Sequence, residues 1–139
     1  MNYNRTSIFK FGNRMSKEVE KSRAFKTAWV AAKSGLVERV SGVTYSNRQK
    51  LLEYLDNCQK ERIQVSLVSD KGNPWDSNAI LVIADVIGQG SYRIGYLPRA
   101  TAAVITSLME TDVQFMTALQ GIVGGYNGQN YGMRIRIQV

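Results

Sequence analysis

Apolar and polar positions alternate most cleanly in RIQVSLVSD, where Ile63, Val65 and Leu67 fall on one side of an extended chain. That period of two predicts a half-buried strand. NAILVIADV, which follows a short polar stretch, is almost continuously apolar and predicts a central strand. GQGSYRIGYLP supplies a turn and a further strand ended by Pro98, a residue suited to open the helix RATAAVITSLME. VQFMTALQGIVGG and YGMRIRIQV read as a last strand pair; in the second, Tyr131, Met133, Ile135, Ile137 and Val139 share one face while Arg134 and Arg136 take the other.

Upstream, LVERVSGVTY mixes β-branched residues with Gly42 and predicts a first strand with a bulge or close backbone approach at the glycine. SNRQKLLEYLDN predicts a short helix capped by Ser46, with Leu51, Leu52 and Leu55 on one face. SKEVEKSRAFKTAWVAAKSG changes the period to that of an amphipathic helix of about 17 residues, with Ser16 as its cap and Gly35 beyond its last turn. Phe25 and Trp29, four apart, form an apolar ridge on it that needs covering, by the rest of the chain, by a second copy or by another protein. Short strands, Gly-rich turns and two inserted helices predict a mainly β, α+β domain: a small closed or partly closed barrel of about six strands.

Charge divides the 139 residues unevenly. The net charge is +7, but residues 1–36 carry eight of the basic residues against Glu18 and Glu20, while the remainder is nearly neutral. Bulk attraction to a polyanion therefore resides in a basic arm and helix, residues 1–36, and selectivity in a domain of residues 37–139. One cysteine, Cys58, and no histidine leave no ligand set for zinc and no serine or cysteine triad, so neither a metal nor another cofactor is expected and catalysis is not. The N-terminus lacks the apolar run of a secretory signal, and no stretch approaches a bilayer span, so the expected location is cytoplasmic and no membrane partner is expected.

GNPWDSNAI is the stretch this composition does not explain. Asn73, Pro74, Asp76 and Asn78 are turn formers whose side chains bond nearby backbone. Trp75 is not: a large aromatic in a polar loop is either a plug over the end of the barrel or a stacking platform. Beside it, the Asp76 carboxylate, which no Lys or Arg of the motif neutralises, suits a sugar hydroxyl or a base.

Together with SGVTYSNRQ (41–49), IGYLPR (94–99) and YGMRIRI (131–137), the block NPWDSNAI (73–80) resembles the HIRAN domain family, in order and spacing. The resemblance implies a modified OB-like (SH3-like) β-barrel with helices that binds single-stranded DNA and captures its free 3′-hydroxyl end. It implies that Asp76 meets the terminal hydroxyl with Asn73 in the same pocket, that Trp75, Tyr96 and Tyr131 hold the terminal bases, and that Arg99 meets a phosphate. Arg39, Arg48, Arg134 and Arg136 are further candidates for phosphate contacts. The chain departs from the family on the first strand, where Glu38, Arg39 and Val40 replace a basic and aromatic run, and Glu38 is expected to repel phosphate. A phosphate-binding GK[ST] loop, and with it the helicase motor of larger relatives, does not occur.

The reading is a non-catalytic single-stranded DNA binder acting in DNA repair, replication or mobile-element processing. Its rivals are a protein-interaction module using the same pocket and a small magnesium nuclease built on Asp70, Asp76 or Asp85, for which several carboxylates must converge.

Overall fold

The computed structural model describes residues 35–110 and 114–138. The basic arm and the Phe25/Trp29 helix lie outside the described residues. Six strands and two α-helices follow in the order β1 (Leu36–Arg39), α1 (Arg48–Asp56), a 3₁₀ turn (Lys60–Arg62), β2 (Ile63–Ser69), β3 (Ile80–Val86), β4 (Gly90–Tyr96), α2 (Arg99–Met109), β5 (Met116–Val123) and β6 (Gly132–Gln138).

The strands form two antiparallel three-stranded sheets, β2-β3-β4 and β1-β6-β5; of the closed or partly closed barrel expected from the pattern, the closed form does not occur. One seam between them is a single rung: Ser41 N donates to Tyr96 O at 2.7 Å and Tyr96 N to Ser41 O at 2.9 Å. The ladder stops there because Gly42, at φ 76°, turns the chain away toward α1. At the other seam β2 and β5 lie side by side without a ladder, tied by the Thr117 hydroxyl donating to the Val65 carbonyl. Gly95 is what lets the first seam close, since a Cβ there would run into the Ser41 carbonyl.

The core lies between the sheets. Ile80, Val82 and Ala84 of β3, Ile94 of β4, and Met133, Ile135 and Ile137 of β6 are fully buried, and Leu52, Leu55, Ile105 and Leu108 bring both helices onto them. Burial of the alternate residues of β6 leaves Arg134 exposed and Arg136 half-buried, as its alternation predicts. Two local expectations are corrected. Gly42 makes a left-handed turn beyond β1 and not a bulge within it; and Ser46, itself at φ 56°, does not cap α1, whose N-cap is Asn47 without a side-chain hydrogen bond.

On β1 the alternation is Val37 out, at 45% exposed, and Glu38 in. Glu38 Oε1 accepts a hydrogen bond from Thr101 Oγ at 2.8 Å, in the first turn of α2, where the helix dipole favours a carboxylate. The carboxylate expected to repel phosphate is therefore held by α2, and it lines neither of the two hollows beside Trp75.

Candidate nucleic-acid interface

The loop between β2 and β3 is organised by its own polar side chains. Its neck is closed by Asp70 N donating to Ala79 O at 2.9 Å. Asn73 Oδ1 accepts from the backbone N–H of Trp75 at 2.8 Å and of Asp76 at 3.1 Å, and Asp76 Oδ1 accepts from Asn78 N at 2.9 Å. These bonds consume the turn-forming chemistry locally, as the residue types demand. With Pro74 fixing φ at the tip, the loop has nowhere to bury its indole. Trp75 is 84% exposed, a platform and not a plug.

Two neighbouring strand and helix ends brace the loop. Tyr96, the last residue of β4, donates its hydroxyl to Asp70 Oδ2 at 2.9 Å, and Asn73 Nδ2 donates to the same oxygen at 3.3 Å. The bond to Asp70, with some desolvation, raises the Tyr96 pKa above the ordinary tyrosine value and keeps the phenol neutral. Arg99, the first residue of α2, donates from Nη2 to Trp75 O at 3.1 Å, and its Nε lies 3.8 Å from Asp76 Oδ2. Asp76 is thus not without a basic neighbour, as the motif by itself implies. The Arg99 side chain is 78% exposed, so the pair is weak and the guanidinium stays available to a ligand.

Trp75 stands between two hollows. The smaller, about 310 Å³, is lined by Asn73, Trp75, Asp76, Ala79, Tyr96, Leu97 and Arg99. The larger, about 650 Å³, is lined by Tyr45, Arg48, Asp70, Gly72, Asn73, Pro74, Trp75 and Tyr96. Five of the six residues expected to recognise DNA, namely Asn73, Trp75, Asp76, Tyr96 and Arg99, therefore meet around one hollow.

Tyr131 does not join them. It lies just ahead of β6, its backbone clamped by Gln49, which accepts from Tyr131 N at 2.7 Å and donates to Tyr131 O at 2.9 Å. Its ring lies against Gly125, where a Cβ would collide with it, and it packs on the core.

Of the candidate phosphate contacts, Arg48 lines the larger hollow and donates to Gly42 O at 2.7 Å. Arg39 and Arg134 face each other across β1 and β6 and line neither hollow, and Arg136 packs over Gly35. Tyr45 and Asp70 line the larger hollow, although neither is expected from the sequence to take part in DNA binding. Tyr45 sits in an ordinary turn sequence, and Asp70 gains its bond from Tyr96 only because the sheet brings that residue, 26 positions away, beside it. As for the nuclease acids, the Asp85 carboxylate is bonded by the Ser91 hydroxyl, across the hairpin from β3 to β4. Among the described residues no three of His, Cys, Asp or Glu converge as a metal site would require.

Comparison with curated proteins gives no match, and comparison with solved structures gives none either. The family model of the HIRAN domain matches residues 36–139, taking in both sheets, both helices and every residue of the two hollows. On that match, over most of its length, the chain belongs to the HIRAN domain family, whose members are in general DNA-binding domains.

Proposed function

We propose that the domain binds single-stranded DNA without chemical turnover and seats a free 3′ end in the smaller hollow. The observation that carries this is Trp75, held out at 84% exposure by a hydrogen-bonded loop and lining one hollow with a carboxylate and a guanidinium. An exposed indole fixed in place offers a stacking face at little entropic cost, and any base has a π-face to lay on it. Asp76, an acceptor only, accepts a hydrogen bond from a terminal hydroxyl. Arg99 reaches the adjoining phosphate, and neutral Tyr96 forms a further part of the wall. With Arg99 engaged by the adjoining phosphate, a terminal phosphate meets the Asp76 carboxylate and is repelled, whereas a hydroxyl donates to it.

Single-strand binding at ends suits processes that expose them, such as repair, replication or mobile-element processing, and a cytoplasmic setting is part of the same proposal. The test is a titration against oligonucleotides ending in a 3′-hydroxyl or a 3′-phosphate, in magnesium and in chelator. The expected result is tighter binding of the hydroxyl, no cleavage in either buffer, and loss of the preference in Asp76→Ala. Equal binding of both ends removes end recognition and leaves general single-strand binding. Cleavage in magnesium refutes the non-catalytic reading, and no binding at all transfers the site to a protein ligand.

A further inference from the structure

The larger hollow is more than the back of the smaller one, because its polar groups are only partly used. Asp70 Oδ2 accepts two hydrogen bonds, from Tyr96 and Asn73, while among the described residues Asp70 Oδ1 accepts none. Those two donors pin the carboxylate, so the direction in which Oδ1 points is fixed in advance of any ligand. Across the same hollow the Arg48 guanidinium makes one hydrogen bond among the described residues, to Gly42 O, and keeps its other N–H groups. Two exposed rings, Tyr45 at 70% and Trp75 at 84%, flank these groups. A cleft with aromatic sides, one oriented acceptor and one oriented donor fork is shaped for a planar heterocycle carrying both a donor and an acceptor on its edge.

We propose that this hollow is a second base subsite, for the nucleotide next to the one at the end, and that Asp70 selects bases with an exocyclic amino group. The proposal rests on the single-strand reading above. Cytosine presents its amine at N4, adenine at N6 and guanine at N2, and a carboxylate oxygen accepts from any of them. Thymine has no exocyclic amine. Its one edge donor, N3–H, is flanked by the O2 and O4 carbonyls, which a carboxylate repels. Arg48 supplies N–H donors to a ring acceptor or to the phosphate beside it. Trp75, which lines both hollows, stands between the two bases.

The side chain that sets the preference can be inverted without changing its shape. In Asp70→Asn the amide oxygen must take the Oδ2 position, because Tyr96 and Asn73 both donate there, and the amide NH₂ is then turned to where Oδ1 was. An acceptor becomes a donor, suited to the thymine carbonyl. Fluorescence anisotropy is measured on strands of identical 3′-terminal nucleotide in which the preceding three positions are cytosine or thymine. The native domain is expected to bind the cytosine strand about tenfold more tightly, the effect of one hydrogen bond to a charged group. In Asp70→Asn the ratio is expected to fall below one.

Tyr45→Ala, which removes an exposed ring and keeps the fold, is expected to weaken both strands by about fivefold or more without altering their ratio. A native ratio of one, or a ratio unchanged in Asp70→Asn, overturns the second subsite while single-strand binding stands. Failure of the native domain to bind either strand overturns the single-strand reading itself.

Discussion

Replacing Trp75 with alanine separates recognition from folding, because the structure assigns the indole to one and not the other. The side chain is 84% exposed, and the two backbone bonds at this position, from Trp75 N to Asn73 Oδ1 and from Arg99 Nη2 to Trp75 O, survive in an alanine. Stability should therefore change by no more than about 0.5 kcal/mol, whereas removal of a buried tryptophan plug costs about 3–5 kcal/mol. In a domain of this size the plug would lower the melting temperature by more than about 10 °C, and the platform by no more than about 4 °C. Loss of one stacked base should weaken single-stranded DNA binding by about 1–3 kcal/mol, roughly 5- to 150-fold. Thermal unfolding and an anisotropy titration read the two quantities on one preparation. A large drop in melting temperature, or an affinity equal to that of the native protein, refutes the assignment. Because Trp29 is the chain's other tryptophan, Trp75→Ala should also abolish any fluorescence quenching that DNA produces through the loop.

Gly95→Ala places a methyl group against the Ser41 carbonyl and should destabilise the domain by about 1–3 kcal/mol, measured by urea unfolding; a neutral effect means the seam is not tight. The raised Tyr96 pKa means that the folded domain favours the neutral phenol. Its contribution is fully present below the ordinary value of 10.0 and is lost as pH rises through the higher folded value. Stability measured across this alkaline range should fall less steeply in Tyr96→Phe than in the native protein. Removing residues 1–14, which hold Arg5, Lys10, Arg14 and no acid, should weaken DNA binding and reduce its salt dependence while leaving the domain folded; an unchanged salt slope refutes that purpose for the arm.

The strands were legible wherever burial imposes a period: Ile63 and Val65 in β2, the apolar run of β3, and the alternation of β6 all recur as buried positions. What pattern cannot carry is how strands meet, which is why a barrel is expected where two sheets are joined by one rung at one seam and by side-chain contact at the other. The same limit applies within the site. The turn chemistry of Asn73 and Asp76 is local and readable, as is the misfit of Trp75. Asp70 and Tyr96 find each other only through register across β3, and Tyr131, grouped with the site by resemblance, is carried off by contacts with Gln49 and Gly125 that no local signal announces. The facing of β1 is unreadable for a simpler reason: LVER offers two apolar residues in succession, and only packing against α2 decides that Val37 faces out and the Glu38 carboxylate in.

Tyr96 occupies two places at once. Its main chain is half of the rung that joins the sheets, and its ring is a wall common to both hollows. Whatever presses on the ring from either side is thus transmitted along one residue to the joint, with no intervening loop to absorb it. An occupied hollow therefore bears directly on one of the two seams that join the sheets, so cargo and framework meet at a single residue.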